Sequence, residues 1–296
     1  MNKTVFTGSG VAIVTPFDES GIDFESFGKI IDFQIENNTD AIIVCGTTGE
    51  AATMPDEEHL SAIEYAVKRV NGRIPVIAGT GSNDTKHGIK LSVEAEKLGA
   101  DALLVVTPYY NKSNKQGLIN HFKAIAESVN IPIILYNVPS RTGMSISLEV
   151  LEALSSIDNI VGIKEASGNM SYAIELASKF GKRFDIYSGN DDIIVPIMSI
   201  GGKGVISVLA NVMPKETHDI CSLYLEGKTK ESMELQFKLL NLINTLFCEV
   251  NPIPVKTALN LMGFNAGQLR LPLYEMDQAN KNKLIAALEE NNIKLV

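Results

Sequence analysis

The chain has 296 residues, of which 45% are hydrophobic and 21% are charged, and its formal net charge is −9 at pH 7. That composition excludes a disordered chain, and the length suits one large domain or two modest ones. The acidic balance argues against nucleic acid or an anionic membrane surface as a partner, although a small acidic substrate can still bind where the local charge is positive.

In chain order, residues 1–10 lack a basic region followed by an apolar run, so we predict no signal peptide. Apolar, β-branched runs then recur about every thirty residues, separated by segments with helical periodicity. The predicted strands are residues 11–15, 41–45, 75–78, 102–107, 131–136, 160–163, 184–187 and 204–208. Helices are predicted at residues 24–36, 56–70 and 85–98, the last ended by Gly99 as a left-handed C-cap.

Eight strand–helix units with near-continuous apolar strands are typical of parallel strands that are buried on both faces. We therefore predict an α/β fold, a (β/α)8 TIM barrel formed by residues 1–225, with a doubly wound open sheet as the alternative. Residues 226–296 lack strand signals and predict about three helices, interrupted by Asn251-Pro252-Ile253-Pro254. This C-terminal helical region is expected to pack on the barrel or on a partner subunit.

Polar segments follow most of the predicted strands, and in a TIM barrel the chemistry lies at these carboxyl ends. They include Gly46-Thr47-Thr48-Gly49-Glu50 after the second strand and Tyr136 to Gly143 after the fifth. Lys164, at the end of the sixth strand, should lie at the same height as Tyr136 on the neighbouring strand. The sequence therefore predicts a site at this mouth of the barrel.

Lys164 follows the apolar run 160–163, where lost hydration favours the neutral amine that can attack a carbonyl group. A lone lysine at a strand end is more often a surface residue or an ion-pair partner, so the rest of the site must support this interpretation. Tyr136 could shuttle protons beside such an amine, or be an ordinary core tyrosine. Arg141 could bind a substrate carboxylate through its planar guanidinium, or form a surface salt bridge. Together they suit an aldol reaction of a 2-oxo acid through an imine.

Other kinds of site find little support. Residues 46–50 are not a phosphate-binding loop and residues 79–84 lack the third glycine of a dinucleotide fingerprint. Asp191 and Asp192 have no partners at metal-ligand spacing, and we interpret Asn190 or Asp191 as a helix cap. The four histidines stand apart and predict no catalytic triad. Three widely spaced cysteines without a C-x-x-C motif indicate free thiols and a cytoplasmic protein.

Four motifs in order resemble the dihydrodipicolinate synthase family. They are G-T-T-G-E (46–50), T-P-Y-Y-N (107–111), Y-N-V-P-S-R-T-G (136–143) and G-I-K-E-A-S-G (162–168), and the resemblance extends to N-P-I-P-V-K (251–256). It implies a class I aldolase-type lyase that condenses pyruvate with L-aspartate 4-semialdehyde to 4-hydroxy-tetrahydrodipicolinate, in diaminopimelate and lysine biosynthesis. No metal or organic cofactor is expected.

The resemblance also implies roles for individual residues. Lys164 would form the Schiff base with pyruvate, and Tyr136, Thr47 and Tyr110 would form a proton relay. In this family the tyrosine at Tyr110 crosses a subunit interface, which implies a dimer as the smallest complete unit and a dimer of dimers, a homotetramer, as typical. The residues implied to bind substrate are Thr48 for the pyruvate carboxylate, Arg141 for the semialdehyde carboxylate, and Gly189 and the backbone of Ile206 near the lysine.

Two alternatives remain at this point. Sister aldolases such as N-acetylneuraminate lyase share the lysine and its tyrosine but lack the arginine that Arg141 supplies. A non-catalytic ligand-binding barrel would tolerate Lys164→Ala without functional loss.

Lysine-inhibited members of the family carry a regulatory pocket at the dimer interface. His59, Asn83 and Tyr109 match three of its positions, whereas Ala51 and Asp56 stand where a serine and a histidine occur. His87 stands where a glutamate receives the α-amino group of lysine. Replacing that carboxylate by an imidazole removes a charge-assisted hydrogen bond worth roughly 1.5–3 kcal/mol. We therefore predict weak or absent feedback inhibition by lysine.

Overall fold

The computed structural model describes residues 4–296, and within them eight parallel strands close into a barrel. The strands are β1 (Gly8–Ala12), β2 (Ala41–Val44), β3 (Val76–Gly79), β4 (Ala102–Val106), β5 (Ile133–Asn137), β6 (Ile160–Glu165), β7 (Asp185–Ser188) and β8 (Gly204–Ser207). Each strand pairs with the next one along the chain, and β8 pairs with β1. The predicted (β/α)8 barrel is confirmed, and the open sheet is excluded because β1 is paired on both sides.

The first strand shows the largest difference from the prediction, because it begins at Gly8 rather than at residue 11. Its first residues are small instead of apolar, and packing at the barrel closure explains this. Gly8 is paired with Gly204, whose φ is +146°, and a Cβ at Gly204 would lie 1.8 Å from the carbonyl oxygen of Gly8. Only glycine allows the two backbones to approach so closely.

Helices surround the barrel in the order expected for this fold. They are α1 (Phe24–Glu36), α2 (Asp56–Val70), α3 (Thr85–Lys97), α4 (Lys115–Ala126), α5 (Pro139–Thr142), α6 (Leu148–Leu154), α7 (Met170–Phe180), α8 (Ile194–Ser199) and α9 (Pro214–Leu225). The first two match the predicted helices 24–36 and 56–70, and α3 is followed by Gly99 at a φ of +93°. A two-stranded hairpin, Phe17–Asp18 with Gly21–Ile22, precedes α1.

The C-terminal region contains α10 (Thr229–Thr245), α11 (Ile253–Leu261) and α12 (Gln278–Glu290), in agreement with the three predicted helices. It packs on the barrel through polar as well as apolar contacts. The side chain of Gln236 accepts a hydrogen bond from Val195 N at 2.9 Å and donates one to Asp192 O at 2.6 Å. The division of the chain at residues 225 and 226 stays a prediction.

A buried ion pair attaches α11 to the loop after β2. Lys256 Nζ lies 2.6 Å from Glu50 Oε1, and both side chains are essentially inaccessible to solvent. Lys256 also donates to Gln268 O at 2.7 Å, while the second carboxylate oxygen of Glu50 accepts from Arg270 N at 3.0 Å. Burial lowers the pKa of Lys256 to about 8, and the negative charge of Glu50 opposes this shift.

The lower part of the barrel interior is filled by side chains. The ring of Tyr187 stacks on Phe6 with centroids 4.4 Å apart, and its hydroxyl donates to Phe6 O at 2.7 Å. This part of the barrel interior is therefore a packed core and not a pore. Within residues 4–296, we find no helix with the length and apolarity needed to span a membrane.

Candidate active site

Lys164 and Tyr136 lie side by side at the carboxyl ends of β6 and β5. They are directly paired in the strand register, as the sequence predicted. Lys164 is 6% exposed and Tyr136 is 7% exposed, and Lys164 Nζ lies 4.4 Å from the centroid of the Tyr136 ring. The arrangement provides a buried amine beside a phenol, in which the amine can act as a nucleophile toward a carbonyl group and the phenol can transfer protons.

The next residues of the same two strands form a network that the sequence did not reveal. Asn137 Nδ2 donates to Glu165 Oε2 at 2.6 Å, and Ser167 N donates to Glu165 Oε1 at 2.6 Å. Asn137 Oδ1 accepts from Ile146 N at 3.0 Å. Burial raises the pKa of Glu165, and the hydrogen bonds from Asn137 and Ser167 oppose that shift. The network ties the ends of β5 and β6 together and so fixes the neighbouring Tyr136 and Lys164.

A cavity of about 160 Å³ opens beside Lys164. Its polar lining comes from several strand ends and from the C-terminal region, and comprises Thr47, Thr48, Tyr136, Ser140, Arg141, Lys164, Gly189, Asn190 and Asn251. Thr47, Tyr136, Arg141 and Asn251 also line an adjoining cavity of about 450 Å³. The structure therefore brings Thr47, Thr48, Arg141 and Gly189 together with Lys164. Ile206 is buried on β8, and its predicted backbone role stays a prediction.

Asn251 is a site residue that sequence reasoning did not single out. It belongs to the C-terminal region, where its side chain donates from Nδ2 to Thr48 Oγ1 at 3.0 Å. Its backbone oxygen accepts a hydrogen bond from Arg141 Nη2 at 3.1 Å. One residue thus contacts both side chains that were predicted to bind substrate carboxylates. The available signal was the interruption of the helical pattern at Asn251-Pro252, to which no role was given.

Tyr110 lies outside the site within the single chain. Its side chain is 93% exposed, its φ is +68°, and of the described residues it is not among those that line either cavity. The loop that carries it is held by hydrogen bonds between Asn83 Nδ2 and Tyr109 O and between Asn111 Nδ2 and Asn83 O. An exposed tyrosine on an ordered loop is suited to contact with another subunit.

The residues predicted as a regulatory-site remnant cluster around the larger cavity. Ala51, His59, His87 and Tyr109 line it, and Asn83 is hydrogen-bonded to Tyr109. His59 Nε2 lies 2.8 Å from Gly79 O, and burial lowers the pKa of His59. The geometry places these residues together, whereas their regulatory role stays a prediction.

Asp56, which lines the same cavity, is already engaged by basic neighbours. His87 Nε2 lies 2.8 Å from Asp56 Oδ1, and Lys90 Nζ lies 2.6 Å from Asp56 Oδ2. The hydrogen bonds from Lys90 and His87 lower the pKa of Asp56. Both oxygens of this carboxylate are thus occupied within the chain.

Of the two predicted caps, Asn190 is the N-cap residue of the 3₁₀ turn Asp191–Ile193, although its side chain makes no capping hydrogen bond there, whereas the alternative of Asp191 as the cap is wrong. Asp191 is buried, and its carboxylate accepts from Val208 N at 3.0 Å and from Leu209 N at 2.9 Å. It therefore caps the 3₁₀ turn Leu209–Asn211 after β8, since the tertiary fold offers it better donors than its own turn does. Among the described residues, no three His, Cys, Asp or Glu side chains cluster as metal ligands.

Comparisons with known proteins agree with this geometry. The model of the dihydrodipicolinate synthetase family matches residues 5–291. A 4-hydroxy-tetrahydrodipicolinate synthase from Clostridium tetani is 57% identical over 95% of this chain and 96% of the relative. A crystal structure of dihydrodipicolinate synthase from Aquifex aeolicus has a TM-score of 0.96 at 47% identity, covering 98% and 99% of the two chains. A structure described as the first monomeric dihydrodipicolinate synthase variant has a TM-score of 0.95 at 42% identity and covers 98% of each.

Proposed function

The chain belongs to the dihydrodipicolinate synthetase family, and we propose that it performs this family's reaction with Lys164 as the amine nucleophile. It is a lyase that condenses pyruvate with L-aspartate 4-semialdehyde to give 4-hydroxy-tetrahydrodipicolinate, a step of diaminopimelate and lysine biosynthesis. The observation that supports the role of Lys164 is its pairing with Tyr136, with the buried amine 4.4 Å from the phenol ring at the wall of a cavity.

The proposed mechanism begins with attack of Lys164 Nζ on the carbonyl carbon of pyruvate. Loss of water from the carbinolamine gives the imine, and loss of a methyl proton gives the enamine, whose carbon attacks the aldehyde carbon of the second substrate and restores the imine. The amino nitrogen of the joined substrates then attacks the imine carbon, which closes the ring and releases the Lys164 amine. Tyr136, with Thr47, carries the protons that these steps release and consume. No metal or organic cofactor takes part in this scheme.

Two carboxylates must be held during the reaction, one on each substrate. We assign the pyruvate carboxylate to Thr48, which lines the cavity with Lys164, and the semialdehyde carboxylate to Arg141. The guanidinium group binds a carboxylate through two parallel hydrogen bonds, which selects a short acceptor that carries one. This supports the present reaction over that of sister aldolases that lack the arginine.

The direct test is reduction with borohydride in the presence of pyruvate, followed by peptide mass mapping. A pyruvate adduct on the peptide that contains Lys164 is expected, because reduction converts the imine to a stable secondary amine. The peptide that contains Lys256 is a control within the same sample, since that lysine is also buried but is paired with Glu50. If no lysine of the protein carried a pyruvate adduct, the proposed mechanism would be disproved.

We further propose a cytoplasmic homo-oligomer, a dimer of dimers, in which Tyr110 of one subunit completes the proton relay of another. The exposure of Tyr110 and its position away from Lys164 support this arrangement. One of the similar structures is described as a monomeric variant, so the number of subunits of this protein is to be measured directly. Sedimentation equilibrium of the purified protein would measure it, and a monomer that is fully active would contradict the proposal.

Mixing two inactive variants tests the shared site more sharply. Tyr110→Phe should lower kcat by about 10²-fold or more, the usual effect of losing a proton-transfer group. If Tyr110 acts across the interface, a Tyr110→Phe chain and a Lys164→Ala chain together rebuild one complete site. Equal mixing with subunit exchange should then recover about a quarter of wild-type activity, because half of the dimers are mixed and each has one good site. No recovery despite demonstrated exchange would mean that Tyr110 acts within its own chain or not at all.

Feedback inhibition by lysine is expected to be weak or absent. The larger cavity, which the predicted regulatory residues line, offers His87 in place of a carboxylate, and Asp56 is engaged by His87 and Lys90. The inhibition constant of L-lysine should therefore lie above about 1 mM in steady-state assays. The variant His87→Glu is the matched control, and should bind lysine about ten- to a hundred-fold more tightly through a charge-assisted hydrogen bond. A submillimolar constant for the wild-type enzyme would disprove the prediction.

A further inference from the structure

A β-bulge interrupts the pairing of β5 with β6, the two strands that carry the central pair of the active site. Ile133 pairs with Ile160, whereas the next residue of β5 pairs with Gly162. Val161 is therefore an extra residue of β6, without a partner on β5. Gly162 allows the backbone of β7 to approach at this point, since a Cβ there would lie 2.7 Å from Asp185 O. Bulges are rare between parallel strands and often lie next to active sites, where they re-aim a side chain.

The bulge changes which side chains of β6 face the interior of the barrel. Ile160 and Ile163 both pack in the apolar layer that includes the helices, although residues three positions apart on a regular strand face opposite sides. Val161 packs in the same interior cluster as Tyr136. The extra residue thus resets the alternation, and Lys164, which follows Ile163, faces the interior beside Tyr136.

A regular register of the same two strands would misplace the amine. Without the bulge, Tyr136 would oppose Ile163, and Asn137 would oppose Lys164. Because a shift by one residue turns every side chain to the other face of a sheet, the amine would then point toward the helices and away from the cavity. Imine formation by Lys164 therefore requires the bulged register at the carboxyl ends of the strands.

The last pair of the two strands adds a side-chain hydrogen bond to this register. Asn137 and Glu165 are paired, and Asn137 Nδ2 donates to Glu165 Oε2 at 2.6 Å. The two residues are only 1% and 2% exposed. Their remaining oxygens are also used, since Asn137 Oδ1 accepts from Ile146 N at 3.0 Å and Glu165 Oε1 accepts from Ser167 N at 2.6 Å. A shift of β6 by one residue would break a buried bond and leave polar groups without partners, which is unfavourable.

We propose that the hydrogen-bonded couple Asn137–Glu165 holds β6 in its bulged register and thereby places Lys164 against Tyr136. Neither member of the couple lines either cavity, so both are positioning residues that act through the neighbouring pair. The inference rests on the proposed function, because it assigns the couple an effect on imine formation by Lys164.

The couple can be broken by single substitutions and rebuilt by a double one. Glu165→Gln presents one donor and one acceptor to two donors, Asn137 Nδ2 and Ser167 N. Turning the amide of Asn137 only moves the mismatch to Ile146 N, so a hydrogen bond is lost in every arrangement. Asn137→Asp places a second carboxylate against Glu165. In the double variant Asn137→Asp, Glu165→Gln the new amide donates to the new carboxylate, and Ile146 N and Ser167 N keep their acceptors.

The rate constant of imine formation is the quantity to compare. It is measured at saturating pyruvate by quenching with borohydride at successive times, so that differences in pyruvate binding and in the second substrate do not enter. Each single variant should form the imine about ten- to a hundred-fold more slowly, the cost of displacing a reacting group by about 1 Å. The double variant should return to within about threefold of the wild-type rate, because the two substitutions are directly coupled.

Gln34→Glu is the matched control for the loss of a buried amide bond elsewhere. Gln34 is fully buried on α1, where its Nε2 donates to Ala210 O at 2.8 Å and its Oε1 accepts from Thr39 Oγ1 at 2.8 Å. It lines neither cavity, and α1 follows β1, which lies across the barrel from β5. This variant should be less stable to denaturant but should form the imine at the wild-type rate.

The outcomes separate positioning from the other roles of the couple. The inference would be overturned if Glu165→Gln and Asn137→Asp, folded by circular dichroism, formed the imine as fast as the wild type, since the couple would then only stabilise the fold. A double variant no faster than the single ones would also overturn it, because the carboxylate of Glu165 itself would then be needed. If a single variant does not fold, Asn137→Ala, which removes both bonds of the amide without adding a charge, takes its place with the same expected rate. Either failure leaves the wild-type adduct on Lys164 intact, whereas absence of that adduct removes the proposed function.

Discussion

Replacing Lys164 by alanine is expected to lower kcat/KM for the condensation by about 10³-fold or more and to abolish the borohydride-stable pyruvate adduct. The reason is that the amine forms the covalent intermediate, so no other contact in the site can substitute for it. Lys164 is buried against Tyr136 and lines the cavity, so alanine leaves a hole without disturbing the strand pairing of β6. Steady-state kinetics and mass mapping of the reduced protein measure the two effects.

Lys164→Arg separates nucleophilicity from charge. A guanidinium remains protonated in proteins, so arginine keeps the positive charge but cannot attack a carbonyl. This variant should be as inactive as Lys164→Ala. Activity of Lys164→Arg within tenfold of the wild type would indicate that Lys164 acts only as an electrostatic group, and the imine mechanism would have to be abandoned.

Replacing Glu50 by glutamine should lower the free energy of unfolding by about 3–5 kcal/mol near neutral or slightly acidic pH. The substitution leaves the ammonium of Lys256 buried without its counter-ion, although the residue still donates to Gln268 O. In the wild type one carboxylate oxygen of Glu50 accepts from Lys256 Nζ and the other accepts from Arg270 N, so Glu50 has no free oxygen. Chemical denaturation followed by circular dichroism measures the effect.

The pH dependence of that effect follows from the pKa of Lys256. Its folded value of about 8 lies below the ordinary 10.5, so between these values the unfolded state binds more protons. The contribution of this group to stability therefore rises with pH across that window. Without Glu50 the folded pKa falls further, and the penalty of a buried charge is relieved as the pH rises toward 8. The destabilisation by Glu50→Gln should be larger at pH 6 than at pH 9.

The double variant Glu50→Gln, Lys256→Met provides the control. Replacing a whole buried ion pair with uncharged residues of similar volume is often nearly neutral, so the second substitution should recover most of the lost stability. Its stability should also lose the pH dependence assigned to Lys256. A double variant as unstable as Glu50→Gln at both pH values would mean that the effect comes from packing and not from an unpaired charge.

The sequence by itself determined the barrel and the central pair of the active site. Parallel strands buried on both faces leave a nearly continuous apolar signal, which located the strands to within a few residues. The equal heights of Tyr136 and Lys164 were predicted from their places at the carboxyl ends of neighbouring strands. The two residues are paired as predicted, although the register shifts by one residue between Ile133 and Ile134. The motifs around Thr47, Arg141 and Lys164 then indicated the family.

Only the tertiary structure decided which distant residues complete and support that site. The hydrogen bond between Asn251 and Thr48 and the ion pair between Lys256 and Glu50 join residues more than 200 positions apart. The hydrophobic periodicity of the sequence does not predict such contacts, because they depend on how the C-terminal helices pack over the barrel mouth. The same holds for Asp191, whose local sequence predicts a cap of its own helix although its carboxylate binds the turn after β8. Local patterns reflect neighbours along one strand or helix. The hydrogen-bond partner of a buried polar group, in contrast, is whichever group the folded chain brings close enough to it.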